Sequence, residues 1–240
     1  MNYRVFKCGE NPIIQPPKLI RGLYPYQDCK RIDSPTGRTY ECPDGNIVPS
    51  VTTILSKTGD KIGLENWKKF KGEKAANEII KEASAVGSAM HGNLERFVTG
   101  EKRQPGNNYV HVVANKMADV IIDHGLSKVS DVYAIEQNLY YPGLYSGTTD
   151  MIGVYDGELS VIDFKQSNKI KKSEHVNDYR LQLSAYILAH NQVYGTNITR
   201  GVIMMCTRGH DYLQFEVTKD DINKWTDMWL NRVGDFYKNN

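Results

Sequence analysis

Two carboxylates and a lysine interrupt an apolar stretch between Gly147 and Ser167. Asp150 stands at the head of its first apolar run, and Asp163 and Lys165 stand two residues apart in the second, so a strand would place both on one face. Burying an ionised carboxylate without a partner costs several kcal/mol, and converging carboxylates repel each other. A divalent cation removes both penalties because Mg²⁺ and Mn²⁺ prefer oxygen ligands. The pattern predicts a metal-dependent hydrolytic site in which Lys165 orients or activates a water molecule.

A structural interpretation competes with this one. Asp163 and Lys165 would also suit an ion pair on an edge strand, with Asp150 as a turn residue, and such surface pairs are common and nearly neutral in energy. An Asp-x-Lys pattern is weak by itself, so the rest of the chain has to decide between the two.

The elements around these residues predict an alternating architecture. Asp156-Gly157 is a strong hairpin signal between strands at 151–155 and 159–164, and a strand at 132–141 carrying Glu136 precedes them. Ser50 is a good N-cap for a helix at 51–57. Further helices are predicted at 64–82, 83–99, 110–124, 174–193 and 219–237, and further strands at 201–207 and 212–217. The fold class is therefore α/β or α+β, with a central mixed sheet flanked by helices.

Side chains on two of these helices are candidates for the site. His91 and Glu95 are four residues apart and share a face, as do Gln182 and Tyr186. Small residues around His91 suggest that its helix closely approaches another backbone. A lone helical histidine is more often structural than a ligand, and the basic run at 68–74 is more often a solvated face unless it borders the site.

Length and composition fit one globular unit. The chain has 240 residues, and residues 1–48 are predicted to form an extended arm packed on a domain at 49–240. The net charge is only +2, so binding to a polyanion would depend on local clusters of charge. No stretch approaches about 18 uninterrupted apolar residues, the length of a membrane span, and the N-terminus shows no signal pattern. The cytoplasm is the expected location.

The four cysteines are expected to be free thiols. Cys8, Cys29, Cys42 and Cys206 form no C-x-x-C pair. A zinc or iron–sulfur site at the first three stays a less favoured alternative because their spacing is irregular.

Four motifs in register resemble the PD-(D/E)XK nuclease superfamily, and in particular its RecB-like exonuclease branch. The motifs are Gly-Ser-Ala-Met-His91-Gly-x-Leu-Glu95, Gly-Thr-Thr-Asp150, Val-Ile-Asp163-Phe-Lys165-Gln-Ser and Gln182-Leu-Ser-Ala-Tyr186. The stretch at 38–55 is similar to the mitochondrial genome maintenance exonuclease group and its phage-encoded relatives. The resemblance covers about residues 38–190 and implies a restriction-endonuclease-like core with an N-terminal helical or extended subregion.

The resemblance also implies roles for individual residues. His91, Asp150, Asp163 and the Phe164 carbonyl would hold one or two Mg²⁺ or Mn²⁺ ions, and Lys165 would position or deprotonate the attacking water. Glu136 would be a supporting acid. Substrate-binding roles are expected for Gln182, Tyr186, Ser167 and Lys169, the last in a basic loop at 169–172.

Two departures from the family pattern refine the expectation. Cys206 stands alone in an apolar strand, so the iron–sulfur cluster of some relatives is not expected. No Walker A motif occurs, so the chain cannot drive itself along DNA. The lack of a presequence favours a phage or bacterial form over a mitochondrial one.

The resulting prediction is a Mg²⁺- or Mn²⁺-dependent DNA exonuclease acting on single-stranded or frayed ends in replication, recombination or repair. Its expected partners are DNA and possible replication or recombination proteins, and not membranes. A structure-specific endonuclease on the same core and a catalytically silent nucleic-acid-binding module are the alternatives.

Overall fold

A six-stranded mixed sheet forms the centre of the molecule. The structure is a computed structural model that describes residues 14–239. The strands are β1 (Lys18–Leu19), β2 (Lys30–Ser34), β3 (Gly37–Glu41), β4 (Ile47–Pro49), β5 (Val129–Tyr141), β6 (Tyr145–Tyr155), β7 (Glu158–Ser167), β8 (Arg200–Thr207) and β9 (Tyr212–Val217). The large sheet has the order β1-β5-β6-β7-β8-β9, and β2, β3 and β4 form a separate antiparallel sheet.

Helices cover both faces of the large sheet. They are α1 (Val51–Thr58), α2 (Ile62–Lys71), α3 (Glu73–Thr99), α4 (Tyr109–His124), α5 (Asn177–Tyr194) and α6 (Ile222–Asn239). One buried cluster joins α3 and α4 to one face, and a second joins α1, α5 and α6 to the other. The predicted fold class, a central mixed sheet flanked by helices, is confirmed.

The central hairpin forms as the sequence predicts, but its strands are longer. Asp156 and Gly157 both have positive φ, 46° and 82°, which is the backbone of a tight hairpin turn. β6 starts at Tyr145 and β7 continues to Ser167 because each strand has a partner on its other side. β7 and β8 are parallel, and β5, β6 and β7 are mutually antiparallel.

The predicted limits of four helices are wrong. The helix expected at 64–82 is interrupted at Gly72, whose φ of 80° and ψ of 139° end α2. The helices expected before and after residue 83 are instead one continuous α3. α5 starts at Asn177, after a short 3₁₀ turn at Ser173–Val176, and α6 starts at Ile222. Ser50 caps α1 as predicted, because its side chain accepts a hydrogen bond from the Thr53 N–H.

Backbone pairing joins the N-terminal region to the large sheet at two places. β1 pairs with β5 in parallel, and Ser50 forms a bridge with Ser146 of β6. The division into an arm at 1–48 and a domain at 49–240 stays a prediction, and its first 13 residues lie outside the part that the structure describes. No helix in residues 14–239 is long and apolar enough to cross a membrane.

Candidate active site

The candidate site lies in a fork of the sheet between β6 and β7. Their ladder ends at Met151 and Ile162, whereas β6 remains paired with β5 and β7 remains paired with β8 beyond this point. The side chain of Asp150 bridges the start of the fork, because its Oδ2 accepts a hydrogen bond of 2.6 Å from the Phe164 N–H. Asp150 therefore uses Oδ2 to hold the two strands at the start of the fork, while its other carboxylate oxygen, Oδ1, contacts a different group.

A histidine and two carboxylates converge at this fork. His91 Nδ1 on α3 lies 3.3 Å from Asp150 Oδ1. Each of His91, Glu136 and Asp150 offers a ligand atom within 4.8 Å of the others. A pocket of about 420 Å³ opens over His91 and Glu136, and Glu95 and the glycines at 87 and 92 also line it.

The small residues of α3 serve this pocket rather than a backbone contact. A Cβ on Gly87 would meet the Gln166 side chain at 3.6 Å, and one on Gly92 would meet Arg96 of the same helix. The predicted close approach to another backbone is therefore wrong at both glycines. Their missing side chains leave space beside His91 and Glu95.

Electrostatic coupling within the group is strong. Burial raises the Asp150 pKa, but His91, Lys165 and the Phe164 N–H outweigh burial and leave that pKa below its usual value. Burial by itself would lower the His91 pKa. The Asp150 carboxylate outweighs this effect, so the His91 pKa lies above its usual value. His91 and Asp150 thus each stabilise the charged form of the other.

Glu136 enters the group through an unusual backbone conformation. Its φ is 47°, a region that non-glycine residues rarely occupy, and it lies between two regular β5–β6 pairs. The residue is exposed at the rim of the group, but partial removal of its carboxyl from water and the neighbouring Asp150 carboxylate raise its pKa to about 7. The sequence marks Glu136 only as a supporting acid, whereas the geometry places it beside His91 and Asp150.

Asp163 and Lys165 form a buried pair next to this group. Lys165 Nζ lies 2.6 Å from Asp163 Oδ1, and the Asp163 side chain is only 2% exposed. Burial raises the Asp163 pKa, Lys165 lowers it, and Asp150 raises it again, to a net value of about 6. Burial lowers the Lys165 pKa, but the two aspartates raise it above its usual value, so Lys165 is an ammonium ion at neutral pH.

Tyr179 is a site residue that the sequence analysis missed. Lys165 Nζ lies 5.1 Å from the centre of its ring, within the range of a cation–π contact. Tyr179 stands one turn before Gln182 on α5, so the spacing of three residues to the Gln182–Tyr186 motif was the signal that could have identified it.

The chemistry of these groups fits a divalent cation. One nitrogen and two carboxylates converge from three different elements, and the buried Asp163 carboxylate beside them contacts Lys165 through both of its oxygens. Carboxylate oxygens with an imidazole suit Mn²⁺, and carboxylates suit Mg²⁺. The Phe164 carbonyl, predicted as a further ligand, belongs to the same residue whose N–H holds Asp150.

Metal affinity is expected to fall as the pH is lowered through 7. A ligand carboxylate must be ionised, and Glu136 of the metal-free protein has a pKa of about 7, so below this pH a bound proton competes with the cation. Calorimetric titration with Mn²⁺ at pH 8 and pH 6.2 should show affinity falling by about fivefold, with proton release at the lower pH. Glu136→Gln should bind more weakly and lose the part of this dependence that comes from Glu136, whereas His91, whose pKa the Asp150 carboxylate raises, should still release a proton when the metal binds. Equal pH dependence in the variant would contradict the assignment.

Gln182 and Tyr186 reach the fork from the opposite face. Gln182 Nε2 donates a hydrogen bond of 3.3 Å to Tyr186 Oη, and Tyr186 is buried. The ring of Tyr186 occupies the space beside Gly147 of β6, where a Cβ would lie 2.9 Å from its Oη. Gly147 is therefore required so that the tyrosine can fill the fork.

Gly147→Ala is expected to destabilise the protein by about 1–3 kcal/mol, because the added methyl group overlaps Tyr186. Urea unfolding would measure the loss, and Tyr186→Leu in the same chain should recover part of it, since the two changes couple directly. If the two losses simply add, this packing account is wrong.

The remaining predicted substrate residues lie where β7 ends. Ser167 Oγ donates a hydrogen bond of 2.7 Å to the Lys169 carbonyl, which ties the basic loop to the strand. The lysines at 68, 69, 71 and 74 are on α2 and the first turn of α3, outside the lining of the pocket.

The cysteines occupy other places in the described chain. Cys29 and Cys42 are buried next to each other, where a hydrogen bond from Cys42 lowers the Cys29 pKa to about 7. Cys206 is buried within β8. These three cysteines are free thiols, and because Cys8 lies outside the described residues, a metal site formed by Cys8, Cys29 and Cys42 stays the less favoured alternative.

Comparison with known proteins finds relatives that are named as exonucleases, in agreement with the motifs at the fork. The mouse protein named mitochondrial genome maintenance exonuclease 1 is 28% identical over 209 residues, which cover 80% of this chain and 59% of that protein. The human protein of that name is 28% identical over 204 residues, 78% of this chain and 59% of its own length. The Xenopus tropicalis protein is 27% identical over 208 residues, 80% of this chain and 58% of its own. The predicted resemblance to the RecB-like exonuclease branch of the PD-(D/E)XK superfamily is confirmed.

The chain belongs to the family described as a protein of unknown function, DUF2800, which matches residues 62–233. The chain spans about three fifths of the length of the mouse, human and Xenopus relatives that it matches. A solved structure described as the crystal structure of SSO0001 matches over 76% of this chain and 75% of that chain, at 14% identity and a TM-score of 0.36.

Proposed function

We propose that this protein is a Mg²⁺- or Mn²⁺-dependent exonuclease that hydrolyses phosphodiester bonds of DNA, with a preference for single-stranded or frayed ends. The observation that carries the proposal is the fork, where Asp150, Asp163 and Lys165 meet His91 of α3 and Glu136 of β5. The names of the mouse, human and Xenopus relatives support the same reaction class.

We assign metal binding to His91, Glu136, Asp150 and Asp163. When bound, a divalent cation neutralises charge on the scissile phosphate and lowers the pKa of a water molecule. Asp150 is already ionised and oriented by the Phe164 N–H, and Glu136 must lose its proton to take part. The His91–Asp150 contact fixes the imidazole in place.

Lys165 then acts as a hydrogen-bond donor rather than as a base. It carries a proton in the metal-free site, so it can orient the attacking water and stabilise charge that develops on the phosphate oxygens. Tyr179 and Asp163 hold its ammonium group from two sides. Gln182 and Tyr186 support the face of the fork that the substrate strand would cross.

The proposed setting is phage or bacterial DNA replication, recombination or repair, in the cytoplasm. The small net charge suits an enzyme that holds one strand locally, because wrapping a duplex requires many phosphate contacts. The basic loop at 169–172 offers such local contacts beside the fork.

The test uses matched linear and circular single-stranded DNA with Mg²⁺, Mn²⁺ or EDTA, beside Asp163→Asn. An exonuclease should degrade the linear strand only, require the metal, and lose activity in the variant. Labels at the 5′ and 3′ ends would reveal the polarity. Cleavage of the circle would indicate an endonuclease, and binding of the strand without cleavage under either metal would leave a binding module as the better description.

A further inference from the structure

Arg208 is a partly buried cation at the active-site end of β8 that the proposed mechanism does not use. It follows the last residue of the strand, and its N–H donates a hydrogen bond of 2.9 Å to the Ser167 carbonyl at the end of β7. β7 and β8 are parallel and in register, so Arg208 stands three residues beyond the level of Lys165, or ~10 Å along the sheet.

Few N–H donors of the Arg208 guanidinium have a hydrogen-bond acceptor, although the side chain is largely buried. Its Nη1 lies 3.2 Å from Glu82 Oε1 of α3, while its Nε is buried without a hydrogen-bond partner among the described residues. The side chain of Arg208 is 17% exposed and that of Glu82 is 49% exposed. A guanidinium presents five N–H donors in a planar fork, and this contact uses one of them.

The backbone that carries Arg208 is fixed. Thr207 Oγ1 donates to Asp211 Oδ2 at 2.7 Å and accepts from the N–H groups of Gly209 and Asp211. These hydrogen bonds, with the one from the Arg208 N–H to Ser167, fix the backbone of Arg208 beside the end of β7.

Further positive charge lies at the same end of the sheet. Ser167, which accepts from the Arg208 N–H, also anchors Lys169 of the basic loop through its hydroxyl group. α3 is tied to this end as well, because Gln166 Nε2 donates to the Ala83 carbonyl at 3.3 Å. Arg208, the basic loop and α3 thus border the exit of the fork.

We propose that Arg208 is a substrate-positioning residue that binds a backbone phosphate of the DNA strand near the scissile bond, and that Glu82 occupies its guanidinium until the strand arrives. This inference rests on the proposed function. A phosphate offers two oxygens to the free N–H donors, which a single contact to Glu82 does not match. The Glu82 pair itself contributes little stability, because its carboxylate is half exposed to solvent.

The experiment measures binding of a 5′-labelled single-stranded oligonucleotide in EDTA by fluorescence anisotropy over a range of salt concentrations. Arg208→Ala should weaken binding about tenfold and reduce the slope of log affinity against log salt by about 0.7, the value for one phosphate contact on a single strand. Glu82→Gln should bind about twofold more tightly, because the competing carboxylate is neutralised. In steady-state cleavage with metal, Arg208→Ala should raise KM far more than it lowers kcat.

Arg200→Ala is the matched control. Arg200 begins the same strand, has the same 17% side-chain exposure and also pairs with glutamates, but it lies at the opposite end of β8. Its loss should leave affinity within twofold and the salt slope unchanged.

Two results would overturn the inference while leaving the nuclease in place. One is an Arg208→Ala protein with wild-type affinity and salt slope. The other is Glu82→Gln binding as weakly as Arg208→Ala, which would make the pair only a link between α3 and β8. Failure of the wild-type protein to bind and cut DNA would instead refute the proposed function, and this inference with it.

Discussion

Asp150→Asn should abolish metal binding while the fold survives. Asparagine keeps an oxygen that accepts the Phe164 N–H, so the fork remains bridged, but it removes the negative charge that a divalent cation needs. Removing a partner outside the coordination shell typically lowers metal affinity by 10–100-fold, so loss of a direct ligand should cost at least about 100-fold. We expect the Mn²⁺-dependent rise in the thermal midpoint to disappear, and cleavage with it.

Asp150→Ala separates the two roles of this side chain. Alanine also leaves the buried Phe164 N–H without an acceptor, which costs about 1–3 kcal/mol, so the metal-free alanine variant should be less stable than the asparagine variant by that amount. Asp156→Asn in the hairpin turn is the control, since Asn tolerates its positive φ and the residue is exposed. An asparagine variant that still gains stability from Mn²⁺ would show that Asp150 is not a metal ligand.

Sequence reasoning could identify the charged residues of the apolar strands because the cost of burying a charge is local. An aspartate and a lysine inside an apolar strand require an explanation wherever the strand lies, and the hairpin signal at residues 156–157 fixes which strands are neighbours. The same reasoning could not find the fork itself. Whether β6 and β7 separate beyond Met151 depends on α3 and α5 entering from the two faces, which is long-range packing that no short pattern encodes.

The positions of Glu136, Tyr179 and Arg208 illustrate the same limit. Glu136 reaches the site through a φ of 47°, which an alternating strand pattern does not predict. Tyr179 meets Lys165 only because α5 crosses β7, and Arg208 reaches the fork only because β8 lies parallel to β7. The helix break at Gly72 was missed because α2 has no buried residue, so no apolar periodicity marks where it ends.

Lys165→Met should reduce single-turnover cleavage about 10³-fold, because removing a donor aimed at developing charge typically costs 10²–10³ and the lysine also holds Asp163. The substitution preserves much of the side-chain volume and removes only the ammonium. Lys116→Met, at an exposed position of α4, removes the same charge away from the fork and should reduce cleavage by less than about threefold, in line with the small effects of surface charges. Cleavage by Lys165→Met within tenfold of the wild type would contradict the assigned role.

The same substitution has a pH-dependent structural cost with a defined sign. Without the ammonium, burial should raise the Asp163 pKa further above its present value of about 6, so the folded state binds a proton that the unfolded chain releases. Stability of Lys165→Met should therefore fall as the pH rises through that pKa, by up to about 3–5 kcal/mol at pH 8, the cost of leaving one partner of a buried ion pair. Urea unfolding at pH 5 and pH 8 would measure this difference.

Asp163→Asn added to Lys165→Met should restore stability at pH 8 without restoring cleavage, because it removes the buried charge and not the catalytic defect. That outcome would separate the two functions of the pair: each residue makes burial of the other tolerable, and both are needed for the reaction. If the double variant were as unstable at pH 8 as Lys165→Met alone, the loss would come from packing around residue 165 and not from the unpaired carboxylate.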